Sequence, residues 1–516
     1  MTSLAVRPSP RWTVLLLTAS AGGIGTALAF APTRWLPFVI VGPALGLWAA
    51  ARSGGPRRGA LYGLVYGLTF AFVEFRWMLE VDLIAGTVLP LAQGPFWAIA
   101  GAVAGAATRL RPGWWVVATA ATWTLVEATR ARIPLSGFEW GQLSMAAADT
   151  PVRQSTATVG ALGLTALLAA VAAGLAVVAL AGNRRAVLPI VVVTVLFLGA
   201  VAVGTVDWTA PEGDLDVAVV QVDDPCPGRF AAECPGYSET LVRSYVAGTR
   251  ALDTPVDLVI WGEDALLGAP SLDQVGAQLV AESGELPAPL LAGAGTPTTP
   301  GRFLRWAALF DAQGTALDGY AKRMPVPFGE YVPWRSVLGG ISDVGRLVPS
   351  DLEAGQDASP IVLPTDDDIA RLGTVVSWEV TFSRAVRAVA RDANALATLT
   401  TVSSYGTSAA SDQLLDAAQL RAAEHQKAMV VAAVTGRSAL IDSTGDKIAQ
   451  TALFQADRLV GVLPLRTGLT PYARVGDTPV ILIAVLALVA VLVAARRRRS
   501  ESVPHQPTEA PASLVR

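Results

Sequence analysis

Long apolar segments separated by short polar loops dominate the first 206 residues, and one more apolar segment follows near the carboxyl end. A helix needs about 20 apolar residues to cross the hydrocarbon core of a bilayer. The pattern predicts eight membrane-spanning helices, at about 12–31, 35–51, 59–79, 83–108, 113–129, 158–181, 186–206 and 478–495. Pro90 and Pro95 interrupt the fourth helix, which predicts a kink or a break there. The chain is therefore predicted to contain a polytopic α-helical membrane domain.

Residues 207–477 have a different pattern, in which short apolar, β-branched runs alternate with helical stretches. This alternation is typical of α/β domains. Strands are predicted at 215–222, 258–261, 290–293, 306–310, 373–377, 397–401 and 429–434, and helices at 237–251, 379–391 and 411–427. The sequence therefore predicts an α/β domain inserted between the seventh and eighth helices.

Arginines occur in every second loop of the apolar part. They precede the first predicted helix and follow the second, fourth, sixth and eighth: Arg7, Arg11, Arg52, Arg57, Arg58, Arg109, Arg111, Arg184, Arg185 and residues 496–499. The positive-inside rule places such loops in the cytoplasm. Four regions are therefore predicted: seven transmembrane helices over 1–206, an extracytoplasmic domain over 207–477, the eighth helix over 478–495, and a basic, disordered cytoplasmic tail over 496–516.

Ionisable side chains also occur near the predicted outer ends of two helices. They are Glu74 and Arg76 in the third helix and Glu127 and Arg130 in the fifth, and the following outer loop contains Phe138-Glu139-Trp140-Gly141. Ionisable groups inside a bilayer are costly and often functional. The alternative is that these side chains lie at the level of the lipid headgroups and are solvated.

Rare residue types restrict the chemistry. The net charge of −3, without a basic stripe interleaved with aromatic residues, argues against a nucleic-acid partner. The two histidines, His425 and His505, disfavour a Ser-His-Asp hydrolase unless His425 serves as its base. The two cysteines, Cys226 and Cys234, leave no zinc constellation. In an outer compartment we expect them to form a disulfide; a displaced nucleophile or a lipid-modified thiol is the alternative.

Lysine is scarce compared with arginine. Of 39 basic residues, three are lysines: Lys322, Lys427 and Lys447. Because arginine is always protonated and presents a planar fork, a lysine kept among arginines indicates a position that arginine cannot fill.

Chemistry-bearing residues occur at three strand ends or loops. Glu263 follows the apolar run 259–262, and Lys322 and Glu330 lie in a loop rich in Pro and Gly. Ser377 ends the predicted strand 373–377, and Glu379 follows it at the start of the predicted helix. A Glu base, a Lys that stabilises an oxyanion and a nucleophile together make an acyl-transfer site that does not need His. Taken singly, each charge also fits an exposed surface position, and Ser377 also fits a helix N-cap.

These motifs, taken in order, resemble the nitrilase superfamily and, within it, the apolipoprotein N-acyltransferase family. Residues 322–333 are close to the family pattern K-x-x-x-V-P-F-G-E-Y-x-P. Further matches are Phe138 to Gly141, Arg153-Gln154, Arg421-Ala422-Ala423-Glu424, Thr435-Gly436-Arg437-Ser438, and Thr470 to Asp477. The resemblance implies an α-β-β-α sandwich with a Glu-Lys-Cys triad.

Carried over residue by residue, the resemblance makes Glu263 the general base and Lys322 the triad lysine, with Glu330 as an auxiliary carboxylate. Trp378 and Glu379 are auxiliary residues that follow the nucleophile. The family's cysteine is Ser377 in this chain, and a hydroxyl is a weaker nucleophile without strong base assistance.

The implied function is transfer of an acyl chain from a membrane phospholipid, through Ser377, to the N-terminal diacylglyceryl-cysteine of an apolipoprotein. It implies a multi-pass protein of the bacterial cell membrane that requires neither a metal nor an organic cofactor. Two alternatives stay open because of the serine: a catalytically degenerate relative that binds lipid or lipoprotein, and another amide chemistry of the nitrilase type.

Overall fold

A computed structural model describes residues 11–181, 187–223, 225–226, 234–267, 269–338, 348–365 and 369–501. Arg7, Arg184, Arg185, His505 and the predicted tail beyond residue 501 lie outside the described residues. The described chain forms a set of helices followed by two β-sheets that carry helices on their outer faces.

The first part of the chain is helical wherever the apolar pattern predicts a span. Its helices are α1 (Trp12–Leu28), α2 (Phe38–Arg52), α3 (Pro56–Glu74), α4 (Met78–Val81), α5 (Leu83–Gln93), α6 (Phe96–Ala106), α7 (Pro112–Arg130), α8 (Leu143–Ala146), α9 (Thr156–Ala181) and α10 (Val187–Gly204). The predicted fourth span is split into α5 and α6 next to Pro95, so the break expected from its prolines is confirmed.

Some of these helices are long and apolar enough to cross a bilayer. Within the described residues, four helical stretches meet both requirements: Leu83–Arg109, Pro151–Ala181, Val187–Gly204 and Thr478–Arg496. Trp12–Leu28 and Phe38–Arg52 are apolar but shorter. The helices are those of a membrane domain, and the full number of eight spans stays a prediction.

Helices α3 and α6 pack closely through glycines. A Cβ atom on Gly63 would lie 2.4 Å from the carbonyl oxygen of Trp97, and one on Gly59 would lie 2.4 Å from that of Gly101. Small residues let membrane helices approach until their backbones touch, which maximises van der Waals contact where burial from water contributes little. The glycines therefore determine how closely these two helices approach.

The rest of the chain is built around fourteen strands within the described residues. They are β1 (Ala210–Gln221), β2 (Leu258–Ile260), β3 (Leu266–Leu267), β4 (Leu290–Thr299), β5 (Arg302–Phe310), β6 (Ala316–Ala321), β7 (Asp351–Leu352), β8 (Ile361–Pro364), β9 (Ile369–Val376), β10 (Ala395–Thr400), β11 (Met429–Ala433), β12 (Ala439–Ile441), β13 (Lys447–Gln450) and β14 (Asp457–Thr467). The helices among and after them are α11 (Tyr237–Arg250), α12 (Leu272–Ser283), α13 (Arg335–Leu338), α14 (Ser383–Ala390), α15 (Ala410–His425), α16 (Pro471–Val475) and α17 (Thr478–Glu501).

The strands form two sheets. The order of the first is β14-β1-β2-β4-β5-β6, with β3 beside β4 and β7 beside β5, and the order of the second is β13-β12-β11-β10-β9-β8. The central strands of each sheet are parallel, and the outer ones are mostly antiparallel. Helices α11 and α12 pack on the first sheet and α14 and α15 on the second, while the sheets meet through β5 and β9 and through β10 and β14. The layers are therefore α-β-β-α, which confirms the predicted α/β class.

Successive side chains of β1 enter two different layers of the core. On β1, Val217 and Val219 join the core between the sheets, whereas Val220 joins the layer beneath α11 together with Leu241. Successive side chains of a strand point to opposite faces. A continuous apolar run such as the one in β1 is therefore the pattern of a strand covered on both sides.

Helix α15 connects the sandwich to the helices of the membrane domain. Asp416 pairs with Arg34 at 2.8 Å, the Gln413 side-chain oxygen accepts the Trp140 indole N–H at 2.6 Å, and Glu424 accepts the Ala161 N–H at 2.6 Å. Fifteen of the sixteen residues of this helix are buried, all but the partly exposed Asp412, because the sheet covers one side and the membrane helices cover the other. Its polar residues bind across that interface.

The ionisable residues at the ends of α3 and α7 are mostly buried, so the hypothesis that they are merely solvated is wrong for all but the exposed Arg76. Arg130 pairs with Glu127 at 2.7 Å and donates to the carbonyls of Phe138 at 2.9 Å and Trp140 at 2.7 Å. The loop that contains Phe138 and Trp140, to which α15 binds through Gln413, is held in shape by this buried arginine.

Several local predictions need correction. The predicted strand 373–377 ends at Val376, and the predicted helix 379–391 is a 3-10 turn over Ser377–Thr381 followed by α14. Ser377 therefore does not cap α14, whose first residue is Ser383. The expected disulfide between Cys226 and Cys234 is present, which confirms that pairing.

Candidate active site

Glu263 lies just beyond the end of β2 and connects the two sheets. Its side chain is 1% exposed. One carboxylate oxygen accepts the backbone N–H of Thr401, which follows β10 in the second sheet, at 2.9 Å. The other oxygen lies 3.2 Å from Lys322 Nζ and 3.2 Å from Arg305 Nη1. Glu263 is thus held by groups from three separate strands or strand ends.

Lys322 follows β6 and is completely buried. Its Nζ lies 3.2 Å from Glu263 Oε1 and 2.6 Å from Glu330 Oε1. Burial alone would lower the pKa of Lys322, but the two carboxylates raise it above its ordinary value. An ammonium group has three N–H donors. Two are used by the carboxylates, which leaves the third for a substrate or for the nucleophile.

Glu330 fixes the loop that follows Lys322. Its Oε1 pairs with both Lys322 and Arg305, and its Oε2 accepts the Val326 N–H at 2.8 Å. Burial acts to raise the pKa of Glu330, but the two cations hold it below its ordinary value. Glu330 is therefore an ionised partner of the lysine.

Ser377 lies at a sharp turn where β9 ends. Its φ is 58°, in the left-handed region that residues other than glycine rarely adopt, and such strain is often found at functional sites. Val376 is paired in parallel with Leu399 of β10. Because parallel strands end at a common edge, Ser377 lies at the edge of the second sheet where Thr401 binds Glu263.

Glu379 and Trp378 bind the turn at Ser377 to the residues that follow Lys322. Glu379 accepts the backbone N–H groups of Arg323, Met324 and Val376, each at 2.8 Å. Burial raises the pKa of the Glu379 carboxyl despite these bonds. The Trp378 indole donates to the Met324 carbonyl. The structure thus brings the predicted lysine and the predicted nucleophile to one place through backbone contacts.

Arg305 is a member of this cluster that the sequence did not reveal. It lies in β5, where its carbonyl accepts the Lys322 N–H at 2.8 Å, and its guanidinium contacts Glu263, Glu330 and Asp264. The predicted strand began one residue later, at 306, and the proximity of Arg305 to Lys322 depends on the pairing of β5 with β6. An arginine in a strand of otherwise apolar character was the available signal.

His425 lies at the last turn of α15, where its ring is buried beside Tyr472 with centroids 5.9 Å apart. Burial lowers its pKa well below the ordinary value. The candidate base next to Lys322 is therefore Glu263, as the motifs predict, rather than this histidine.

The fold and the cluster define a domain of the carbon-nitrogen hydrolase class, and residues 217–467 match the family model described as carbon-nitrogen hydrolase. An amidase from Nesterenkonia sp. AN1 superposes with a TM-score of 0.35 at 17% identity, over 52% of this chain and 95% of the amidase. Residues 22–174 match the model of the apolipoprotein N-acyltransferase N-terminal domain.

Two curated relatives cover almost the whole chain. The apolipoprotein N-acyltransferase of Chromobacterium violaceum is 30% identical over 94% of this chain and 95% of its own length. That of Methylococcus capsulatus is 28% identical over 96% of this chain and 98% of its own length. The chain belongs to the apolipoprotein N-acyltransferase family.

Proposed function

We infer that this protein is a membrane-bound acyltransferase that moves an acyl chain from a phospholipid to the N-terminal amino group of a diacylglyceryl-cysteine, the last acylation of a lipoprotein. The observation that carries the proposal is the buried cluster of Glu263, Lys322 and Glu330 beside the turn at Ser377. The likeness to apolipoprotein N-acyltransferases extends over both the membrane part and the sandwich, which favours the enzyme over a relative that only binds lipid.

In the first half-reaction, Ser377 Oγ attacks the ester carbonyl of the phospholipid while Glu263 takes the hydroxyl proton. The free N–H of Lys322 stabilises the oxyanion of the tetrahedral intermediate. The ester C–O bond then breaks, and the leaving alkoxide of the lysophospholipid takes the proton from Glu263. An acyl-oxyester on Ser377 and a lysophospholipid result.

In the second half-reaction, the amino group of the diacylglyceryl-cysteine attacks the acyl-oxyester and gives a proton to Glu263. The new intermediate collapses with cleavage of the bond to Ser377 Oγ, which receives that proton. The products are an N-acylated lipoprotein and the free serine. Glu263 accepts and returns one proton in each half, as general acid–base catalysis requires.

The serine makes this site depend on its base more than a cysteine would. A free thiol titrates near ~8.5 and supplies some thiolate at neutral pH, whereas a hydroxyl does not ionise there. Nucleophilic attack by Ser377 must therefore coincide with proton removal by Glu263. Glu263 is buried and held 3.2 Å from Lys322 Nζ, which fixes the position of its carboxylate for that transfer.

The membrane arrangement completes the proposal. Eight helices cross the membrane of a bacterial cell, with seven over 1–206 and the eighth over 478–495. The sandwich over 207–477 lies outside the cytoplasm, and the basic tail lies inside. Both substrates are anchored in lipid, so a site next to the outer leaflet meets them by lateral diffusion. The arginines of alternate loops support this orientation.

The function is tested by mass spectrometry of lipoprotein N-termini from cells in which this chain is the sole acyltransferase of its kind. Triacylated termini are expected with the natural chain and diacylated termini with Ser377→Ala. Ser283→Ala is the matched control, because Ser283 is buried to a similar extent, 7% against 8% exposed, but lies in α12. Triacylated termini that persist with Ser377→Ala would reject the proposal.

A further inference from the structure

Arg305 contacts the two carboxylates that bind Lys322. Its Nη1 lies 3.2 Å from Glu263 Oε1 and also pairs with Glu330 Oε1. These are the same two oxygens that bind Lys322 Nζ. The guanidinium is 15% exposed, and its Nε lies 2.8 Å from Asp264 Oδ1. Two cations thus share one pair of carboxylate oxygens.

The charges in the cluster explain why a second cation is needed. Glu263, Asp264 and Glu330 can carry three negative charges, and Lys322 supplies one positive charge. Carboxylates that share a site repel each other, and the pKa of one of them then rises strongly. Arg305 is permanently charged and contacts all three carboxylates, so it offsets that repulsion.

We propose that Arg305 is a positioning residue of the acyl-transfer site, which holds Glu263 and Glu330 around Lys322 and offsets the repulsion between the two carboxylates. This inference rests on the proposed function and adds a dependence of that function on pH. A protonated Glu263 cannot accept the hydroxyl proton of Ser377. Loss of the guanidinium leaves three carboxylates around one cation, and a cluster of that kind takes up a proton more readily.

The identity of the nucleophile determines how strongly acyl transfer depends on Arg305. A hydroxyl needs the base in the transition state, whereas a thiol ionises by itself near ~8.5. An enzyme with serine at position 377 therefore depends on the charge state of Glu263 more than the Ser377→Cys variant does. Substitution of Arg305 lowers kcat/KM by one factor with serine at position 377 and by another with cysteine. The ratio of these two factors measures the coupling between Arg305 and the nucleophile.

The charged or titratable groups of the cluster, and those that face it, all enter the design of the experiment. They come from the end of β2, the strand β5, the loop after β6, and the turns after β9 and β10: Glu263, Asp264, Arg305, Lys322, Glu330, Glu379 and Tyr405. Burial raises the pKa of Asp264 to about 6, so this residue titrates in the same range. The measurement is therefore repeated in the Asp264→Asn background.

The test compares Arg305→Gln, Arg305→Lys and the control Arg302→Gln, with serine and with cysteine at position 377. Arg302 lies in the same strand but is 60% exposed and pairs with Glu353 at 3.2 Å. Arg305→Gln should lower kcat/KM about tenfold or more at pH 6, with recovery as the pH rises, which shifts the acid limb up by about 1 pH unit or more. Arg305→Lys should retain part of the kcat/KM that Arg305→Gln loses. The loss caused by Arg305→Gln should be smaller with cysteine than with serine at position 377. Arg302→Gln should have the kcat/KM of the natural chain.

A second measurement does not depend on turnover. Without the guanidinium, the carboxylates repel each other when ionised and are relieved when one binds a proton. Arg305→Gln should therefore lower the Tm more at pH 8 than at pH 5. If the loss of Tm were the same at every pH, and the loss of kcat/KM were also the same at every pH, the role of Arg305 would be merely structural and the inference would be overturned. A natural chain without transferase activity, with this pH-dependent Tm intact, would instead reject the proposed function.

Discussion

The carboxylate of Glu379 accepts the backbone N–H of Arg323 at 2.8 Å. With the bonds of Glu379 and Trp378 to Met324, this contact joins the turn that carries Ser377 to the loop that carries Lys322, although Arg323 and Glu379 are 56 positions apart in the sequence. The residues next to the two proposed reacting groups are thus bound to each other directly. The geometry of the site depends on that bond as well as on the reacting groups.

Glu379→Gln should reduce acyl transfer by about tenfold or more, because hydrogen bonds to a charged group contribute about 1.5–3 kcal/mol each. The glutamine retains one acceptor oxygen where the carboxylate has two, and its NH₂ group faces backbone N–H donors. We expect a lower kcat and a lower Tm together. Glu239→Gln, at a side chain 73% exposed in α11, serves as the control. Unchanged kcat in Glu379→Gln would contradict this role of the Glu379 carboxylate.

Asp264→Asn should stabilise the protein at neutral pH. Burial raises the pKa of Asp264 to about 6 in the folded protein, against an ordinary value near ~3.9. Between these values the folded protein binds more protons than the unfolded one, so this contribution to stability falls as the pH rises from about 4 to about 6. Asparagine removes the ionisation and its cost.

The Tm of Asp264→Asn is therefore expected to exceed that of the natural chain by more at pH 7.5 than at pH 4.5. The difference corresponds to about 1–3 kcal/mol of unfolding free energy. Asp253→Asn, at an exposed position, is the control and should show no such trend. A Tm difference that is the same at both pH values would contradict the proposed cost of ionising Asp264.

Gly63→Ala should weaken the packing of α3 on α6. The added Cβ would lie 2.4 Å from the Trp97 carbonyl oxygen, so the helices must separate, at a cost of about 1–3 kcal/mol. Gly199→Ala in α10 is a matched control, because its Cβ would meet no atom within 4 Å. A lower Tm for Gly63→Ala alone is expected, and equal Tm values for both variants would contradict the close approach.

The proposed orientation is tested with reporter fusions. A periplasmic reporter such as an alkaline phosphatase should be active when fused after Pro300, at the turn between β4 and β5, and inactive after Glu501 at the end of α17. A cytoplasmic reporter should give the reverse result at each position. Equal signals from the two positions would reject the arrangement with an outer sandwich and an inner carboxyl end.

The residues of the site differ in how far they can be predicted from the sequence. Lys322 and Glu330 lie in a loop whose Pro and Gly spacing is a local motif, and Glu263 follows an apolar strand, so short-range patterns identify them. Arg305 carries no such motif. Its contacts with Glu263 and Glu330 depend on strand pairing and on the path of the loop, which are tertiary properties.

The fold shows the same division between local and tertiary signals. Continuous apolar runs identified β1, β10 and β11, because their side chains are buried on both faces. The outer strands β13 and β14 were missed because they alternate exposed and partly buried residues and contain polar ones. The burial of α15 at all positions but Asp412 was also unpredictable, since its polar residues find their partners in the membrane domain.

The central claim is that Ser377 carries the acyl group, and the most direct measurement is to find that group on the serine. Purified protein is incubated with phosphatidylethanolamine vesicles without acceptor and digested with trypsin, and the peptide from Leu372 to Arg384 is weighed by mass spectrometry. We expect an added acyl mass on Ser377 that resists neutral hydroxylamine, a hydroxylamine-sensitive adduct in Ser377→Cys, and none in Ser377→Ala. Acyl transfer that continues in Ser377→Ala, or an adduct on another residue, would contradict the account.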